Sequence, residues 1–317
     1  MQPANSQNEI LLSIAIPTYN RAEIIRESIQ SYISQKGFTG NIEIIILDNC
    51  SSDHTKVVVA SFTEKYPNIK YFRNPTNIGA KNYMKALSLG KGKYLKLMND
   101  NCILKEEALN RLVEIIDENI VNQTPIFIYQ NNEFNRNTKL EINSINGFVK
   151  QASYWITYNN NFGIWKKDFE KLDDKDRYSD VHWSQVDLTL RQFSANGCNL
   201  YFEDYYTAIE VKNKAYNLFQ LFSVEYLNIY DEYVVNRQMK KKIIDMEKYR
   251  LFRYFLLRWY ILLIVKRNNE LKFNNTNAFK TLMINYKYKP YFYLFIIAAY
   301  LKNVRYIFGI RQTAKAL

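Results

Sequence analysis

Asp48 closes the apolar run Ile42-Glu43-Ile44-Ile45-Ile46-Leu47. A carboxylate at the tip of a buried strand is costly unless something binds it. Two readings are open: it caps the following turn, as aspartate often does, or it accepts the N–H of a pyrimidine or other base. A second apolar run, Leu12 to Pro17, ends in Thr18, Tyr19, Asn20 and Arg21. A ring and a guanidinium there suit packing of a base and neutralisation of a diphosphate. Asn77-Ile78-Gly79, followed by Asn82, opens a helical stretch. Glycine lets backbone approach a ligand, and a helix N-terminus favours anionic groups, although many turns share this pattern. Asn99-Asp100-Asn101 ends another run. Carboxylate and amide oxygens suit a hard divalent cation bridging two phosphates. One carboxylate with amides is a poor donor set, so a simple turn competes with that reading.

These groups need a scaffold that brings strand ends together. Apolar runs at 11–16, 42–47, 69–72 and 94–98 alternate with helical patterns at 23–35, 55–66, 80–89 and 105–119. Such alternation argues for a parallel sheet flanked by helices. In open α/β sheets ligands bind at the carboxyl ends of the strands, where all these polar residues fall. Ser52 and Asp53 are placed to cap the second helix. A fifth run, Pro125–Tyr129, is expected to extend the sheet. Residues 130–150 read as a loop or hairpin, Ser184–Ala195 as a helix ended by Gly197, and Leu200–Phe202 as a strand.

The chain of 317 residues is 47% apolar, enough for one large or two unequal cores. Three cysteines cannot form a fully paired disulfide set and fit a reducing compartment. The polar stretch Met1–Glu9 is no secretory signal. The expectation is a cytoplasmic protein. The net charge of +12 is unevenly spread: residues 212–317 hold 20 Lys+Arg against 6 Asp+Glu, and the remainder 23 against 25. The basic excess lies wholly in the last third. There, 218–265 reads as helical throughout, with a basic cluster at Lys240–Lys242 and with Phe252, Phe255 and Trp259 interleaved with arginines. A further apolar stretch, Tyr291–Leu301, is flanked by lysines. No uncharged run reaches the ~18–20 residues that span a bilayer.

Four segments in order, Ile16-Pro17-Thr18-Tyr19-Asn20-Arg21, Leu47-Asp48-Asn49-Cys50-Ser51-Ser52-Asp53, Asn77-Ile78-Gly79-Ala80-Lys81-Asn82 and Tyr94-Leu95-Lys96-Leu97-Met98-Asn99-Asp100-Asn101, resemble the motifs of family 2 glycosyltransferases with the GT-A fold. The resemblance is close over 10–120 and looser over 121–210. The looser part, including Leu190-Arg191 and Gly197-Cys198-Asn199-Leu200, is most similar to transferases of bacterial O-antigen or capsule, including an abequosyltransferase-like branch.

The resemblance implies a nucleotide-diphospho-sugar donor, with Pro17, Tyr19, Arg21 and Asp48 around the nucleoside and Asn77, Gly79 and Asn82 lining the donor pocket. It places the family's Asp-x-Asp metal motif on Asn99-Asp100-Asn101. Asparagine stands at both usual aspartate positions, which puts dependence on Mn²⁺ or Mg²⁺ in question. Asp100 takes over the metal, or Lys81, Lys96 or Arg21 carries the diphosphate charge. The family's general base aligns with Gln185, which takes no proton at neutral pH. Asp180 and His182 are the nearby candidates; His182 suits the pH best, and Asp180 is the usual residue type. Asp187 reads as structural. Chemistry without an enzymic base, as in retaining transferases, is a further reading.

The expected architecture is a GT-A Rossmann-like catalytic domain over 10–215, with a nucleotide-sugar half (10–120) and an acceptor half (121–215). A basic amphipathic helical region over 216–317 follows. The expected function is sugar transfer to a lipid-linked or growing surface glycan. Competing readings are a nucleotidyltransferase, which lacks its glycine-rich phosphate loop here, and a degenerate transferase that binds without turnover. For the basic region, docking on an anionic membrane surface competes with packing on the catalytic domain or on a second copy. The first places the enzyme peripherally on the inner face of the plasma membrane. No nucleic-acid-binding motif is present.

Overall fold

The computed structural model describes residues 9–130, 138–193, 197–211, 216–268 and 273–303. In chain order the first part runs β1 (Leu12–Thr18), α1 (Ala22–Ile33), β2 (Ile42–Asp48), α2 (Thr55–Thr63), β3 (Ile69–Arg73), α3 (Lys81–Ser88), β4 (Tyr94–Leu97), β5 (Cys102–Leu104) and α4 (Ala108–Asn119). It continues through β6 (Ile126–Gln130), β7 (Thr138–Ile142), α5 (Ile145–Ala152), β8 (Gly163–Trp165), α6 (Lys166–Lys171), α7 (Ser184–Gln192), β9 (Cys198–Glu203) and β10 (Tyr206–Ala208). The chain divides into two compact units. One comprises the chain up to Gly147 with Trp155–Glu210; the other comprises Phe148–Tyr154 and the chain from Val211.

The first unit is built on a five-stranded sheet of order β3-β2-β1-β4-β8. The first four strands are parallel, and β8 runs antiparallel along β4. Strands β1, β2 and β4 are buried along their whole length. That burial explains why they read as unbroken apolar runs rather than alternating ones. Alternate side chains serve opposite faces. Ile14, Ile16, Ile44 and Ile46 pack with Ile25, Ile29, Val59 and Ile115 from α1, α2 and α4. Ala15, Leu47, Leu95 and Leu97 pack with Met84, Leu87 and Leu188 from α3 and α7. Glu43 is a buried acid near the start of β2. It accepts hydrogen bonds from Ser13 Oγ and the Lys91 N–H, both 2.6 Å, and thereby ties the start of β1 to the turn before β4.

The run at Pro125–Tyr129 does not extend the main sheet. As β6 it pairs in parallel with β9, which also pairs with β7, in a separate three-stranded sheet. Apolar content marks a buried strand but does not name its neighbours. Helix α7 stops at Gln192, and the expected last turn to Ala195 falls largely outside the described residues.

The second unit is helical. Its first helix covers 218–235, and 236–240 interrupts the expected continuous helix, with Arg237 at φ +57°. Helix 241–265 and helices Ala278–Tyr286 and Pro290–Lys302 follow. Glu247 is fully buried. It accepts hydrogen bonds from Ser153 Oγ (2.6 Å) and the Tyr226 hydroxyl (3.0 Å). Burial pushes its carboxyl up to about 7 against the pull of those donors. Phe252, expected on a membrane-facing surface, is instead core. Its ring lies 5.1 Å from Tyr286 and 5.2 Å from Phe292, with no exposed area. Phe255 packs on Phe222, and Trp259 on Phe273. Exposed apolar side chains of this unit include Val235, Tyr254 and Ile284 and, on the last described helix, Leu294 (66%), Ile297 (57%) and Leu301 (69%). Among the described residues no helix is long and apolar enough to cross a membrane.

Candidate active site

The parallel register sets Thr18 beside Asp48 and Asp48 beside Arg73, so the carboxyl ends of β1, β2 and β3 finish level. β4 adjoins β1 from the other side, and the chain leaving it delivers Asp100. Asp100 is buried, and both its oxygens are engaged. Thr18 Oγ1 donates at 2.8 Å and Arg21 Nη1 at 2.5 Å. Burial raises the Asp100 carboxyl above the ordinary aspartate range, and the Arg21 charge and the Thr18 hydroxyl oppose that rise. The ends of β1 and β4 are thus joined by one buried carboxylate.

Asp48 has no exposed area. One oxygen accepts the Ser51 N–H at 2.8 Å, the turn-capping contact. The other accepts the Tyr71 hydroxyl at 2.7 Å and faces Arg73 Nε at 3.5 Å. Tyr71 and Arg73 escaped the sequence reading, yet they are two apart on β3 and so must share one face of it. The Tyr71 phenol is raised well above its ordinary value by burial and by its bond to Asp48. The loops after β1 and β2 are also stitched together. Asn20 Oδ1 accepts the Ser52 N–H (2.7 Å), and the Asn20 N–H reaches Ser51 Oγ (2.8 Å). Asp53 receives Thr55 N–H and Ala22 N–H, both at 3.0 Å, so it holds the first turns of α2 and α1 together. The capping role expected of Ser52 and Asp53 falls to Asp53. Pro17 is buried in β1, while Tyr19 stands exposed beyond it.

Asn77, Gly79 and Asn82 belong to a cluster of amides. Asn49 Nδ2 donates to Asn77 Oδ1 (2.8 Å), Asn74 Nδ2 to Asn82 Oδ1 (2.7 Å), and Asn82 Nδ2 to Leu47 O (3.1 Å). Gly79 adopts φ +59°, the left-handed region that glycine tolerates best, and a Cβ there would meet open space. This cluster fixes the turn into α3 against the end of β2. Lys81 is exposed on the first turn of α3.

Lys96 does not reach this site. It is buried, and its ammonium donates to the backbone oxygens of Asn160 and Phe162 (3.2 Å to the latter). It also lies 5.6 Å from the Tyr205 ring centroid. Burial pulls it down to about 7. Of the three cations considered for the diphosphate, Lys96 drops out because β4 turns it into the core.

A divalent cation would find one carboxylate. Asn99 Oδ1 accepts Asn159 Nδ2 (3.1 Å), and Asn101 Nδ2 donates to Ile209 O (2.7 Å). Among the described residues no group of three His, Cys, Asp or Glu side chains surrounds a cation position. Asp100 is the carboxylate that follows β4, and both its oxygens already accept from Thr18 and Arg21.

Asp180 and His182 lie on the turn before α7, both exposed, with His182 at φ +63°. Partial desolvation by the surrounding turn lowers the His182 imidazole from its ordinary value, which favours the neutral form. Gln185 is buried, donating to Thr157 O at 3.1 Å. Asp187 is locked by Arg177 (2.5 Å) and Arg191 (3.0 Å) and is structural. Through Gln185 and Thr157, α7 rests on the segment whose Asn159 bonds Asn99.

A family model for glycosyl transferase family 2 matches residues 13–178, more than half of the chain. The chain belongs to glycosyltransferase family 2. The match contains all four strand-end motifs. Among glycosyltransferase relatives, the abequosyltransferase RfbV of Salmonella typhimurium is 34% identical over 110 residues, 34% of this chain and 33% of that one. The minor teichoic acid biosynthesis protein GgaA of Bacillus subtilis is 28% identical over 161 residues, 46% and 36%. The chain thus spans about a third of the length of these curated relatives. In fold it is similar to S. aureus TarS 1–349 in complex with UDP, with a TM-score of 0.60 at 17% identity over 97% of this chain and 94% of that one. It is also similar to the mannosyltransferase PcManGT of Pyrobaculum calidifontis in complex with GDP-Man and Mn²⁺, with a TM-score of 0.56 at 13% identity over 93% and 87%. The expected GT-A-like α/β fold is the observed one.

Replacing Arg21 tests the junction. Arg21→Gln leaves the buried Asp100 charge without its cation and is expected to cost about 2 kcal/mol at pH 7. A carboxyl raised above its unfolded value loses stability as pH rises between the two values. Removing Arg21 raises it further, so the penalty should shrink toward pH 4.5. Urea denaturation at the two pH values measures this; a penalty independent of pH would contradict the assignment.

Proposed function

We propose that this chain transfers a sugar from a nucleoside-diphosphate donor to a hydroxyl of a bacterial surface glycan of the O-antigen, capsule or teichoic-acid type. The carrying observation is the junction of Arg21, Thr18 and Asp100 beside Asp48, at the carboxyl ends of adjacent parallel strands. The names of the relatives, an abequosyltransferase and teichoic acid biosynthesis proteins, support the acceptor class. Neighbours in complex with UDP, UDP-GlcNAc and GDP-Man support the donor class.

In this reading the nucleobase meets Asp48, a carboxylate with about four acceptor directions, of which Ser51, Tyr71 and Arg73 take three. Pro17 and Tyr19 flank the base, and the turn braced by Asn77, Gly79 and Asn82 borders the donor. The acceptor oxygen bonds to the anomeric carbon as the sugar–phosphate bond breaks. Negative charge grows on the leaving diphosphate, and Arg21 is the cation aimed at it, as transition-state stabilisation requires. Asp100, with Asn99 and Asn101 beside it, would hold Mn²⁺ or Mg²⁺, and that ion would add charge neutralisation. His182, neutral at physiological pH, takes the acceptor proton, with Asp180 as its alternate.

The acceptor's lipid carrier and the basic excess point to an anionic membrane surface. Leu294, Ile297 and Leu301 form an exposed apolar face on helix Pro290–Lys302, flanked by Lys287, Lys289 and Lys302. The enzyme then works at the cytoplasmic side of that membrane. In co-sedimentation the chain should bind vesicles containing phosphatidylglycerol but not pure phosphatidylcholine, and Leu294→Ser/Ile297→Ser should abolish it. A soluble dimer lost in the same variant would assign the face to a second copy instead.

Asparagine at 99 and 101 and the tethered Gln185 favour a second reading, binding without turnover. The test is thermal shift with UDP, GDP, CDP and dTDP, followed by donor hydrolysis with and without Mn²⁺. One nucleotide should raise Tm by mass action, and its sugar donor should be hydrolysed. Binding with no hydrolysis or transfer from any donor would establish the degenerate reading.

A further inference from the structure

The first unit carries a recess away from the carboxyl ends of its strands. A cavity of about 680 Å³ lies at the other end of the sheet, lined by the loop before β6, by α6 and by the end of α7. Its position follows from the register. Trp165, which leads into α6, pairs with Tyr94, the first residue of β4. Trp165 Nε1 also donates to Thr124 O at 2.7 Å and anchors the loop there. A seven-residue strand spans about 23 Å, so this recess is separate from the Asp48 and Asp100 cluster.

We propose that this recess is a second binding site, for an acidic segment of a hydroxyl-rich polymer. Its walls carry Lys167, Lys171 and Arg191 against the single acid Asp168. Arg191 is fixed by Asp187 (3.0 Å) and Asp173 (3.2 Å), which offset its charge, so the positive charge open to a ligand comes from the two lysines. Lys171 faces Asp168 only at 3.7 Å, a weak surface pair, and Lys167 has no ion pair among the described residues. Both ammonium groups are therefore available to a ligand. Between the cations lie Asn122, Gln123, Thr124 and Gln192, donors and acceptors suited to sugar or polyol hydroxyls; only Pro125 and Leu172 are apolar.

Gln192 is a second, independent sign of a ligand. It is 7% exposed, and its amide Nε2 has no hydrogen-bond partner among the described residues. Buried donors are nearly always paired. This donor is closed off as it stands, and a small turn of the Gln192 side chain toward the recess would let an acceptor oxygen of a ligand pair it. A phosphodiester and a uronate carboxylate offer the same anionic oxygens on the same hydroxylated chain. This assignment rests on the transferase reading for the source of such a polymer. A grown acceptor held here would stay on the enzyme while its end is extended at the strand-end site.

Calorimetry on the full chain tests this with three probes: an oligo(glycerol phosphate), an oligogalacturonate of equal charge and a neutral maltooligosaccharide. One acidic probe should bind, identifying the acidic group, and the neutral one should not. Lys167→Glu with Lys171→Glu should weaken binding about tenfold or more and leave the Tm shift with nucleotide unchanged. Gln192→Met should weaken it too without lowering the Tm of the free protein, since it removes an unpaired donor. Failure of both acidic probes to bind, or equal affinity in wild type and both variants, would overturn the proposal. Acidic binding without any nucleotide shift would sink the transferase reading and leave this site standing.

Discussion

Two buried carboxylates at the ends of neighbouring strands constrain everything near them. Asp48 and Asp100 sit where charge is expensive, and each must be matched by donors from other parts of the chain. Asp48 draws Ser51, Tyr71 and Arg73 to the end of β2. Asp100 draws Thr18 and Arg21 to the end of β4. Satisfying these two groups closes the loops after β1, β2 and β4 around one point. The rest of the sheet serves to deliver those strand ends level with one another. Glu43, at the opposite end, does the same structural work with Ser13 and Lys91.

The same contacts give the site its chemistry. Arg21 is held by Asp100 yet remains a third exposed, so its guanidinium is aimed without being hidden. An amide cluster from Asn49 to Asn82 sets the turn into α3 with uncharged groups only. Rigidity here comes from amides instead of acids, so the cluster adds no charge to the strand ends. The asparagines at 99 and 101 extend that pattern. They leave Asp100, paired with Arg21, as the acid that follows β4 directly.

Much of the first unit was legible because its signals are local. Strands β1 to β4 follow from apolar runs between helical patterns, and the polar residues closing those runs fall where a parallel sheet puts its ligands. What stayed hidden depends on pairing between distant segments. Nothing in Pro125–Tyr129 names β9 as its neighbour. Lys96 looks like a candidate phosphate ligand until the pleat of β4 turns it toward Asn160 and Phe162. Tyr71 and Arg73 gain meaning only when β3 lies beside β2. In the second unit the period of the aromatics is visible, but their destination is not: Phe252 became core and Leu294 surface. The turn carrying Asp180 and His182 is fixed by Gln185 on Thr157, a contact between residues 28 apart.

A crystal structure of the chain with the nucleoside diphosphate that stabilises it most, grown with Mn²⁺, bears most directly on the central claim. The account predicts the base edge within hydrogen-bond reach of the Asp48 carboxylate and the diphosphate beside Arg21. Nucleotide bound elsewhere, with the Arg21–Asp100 pair and the surroundings of Asp48 untouched, would contradict it.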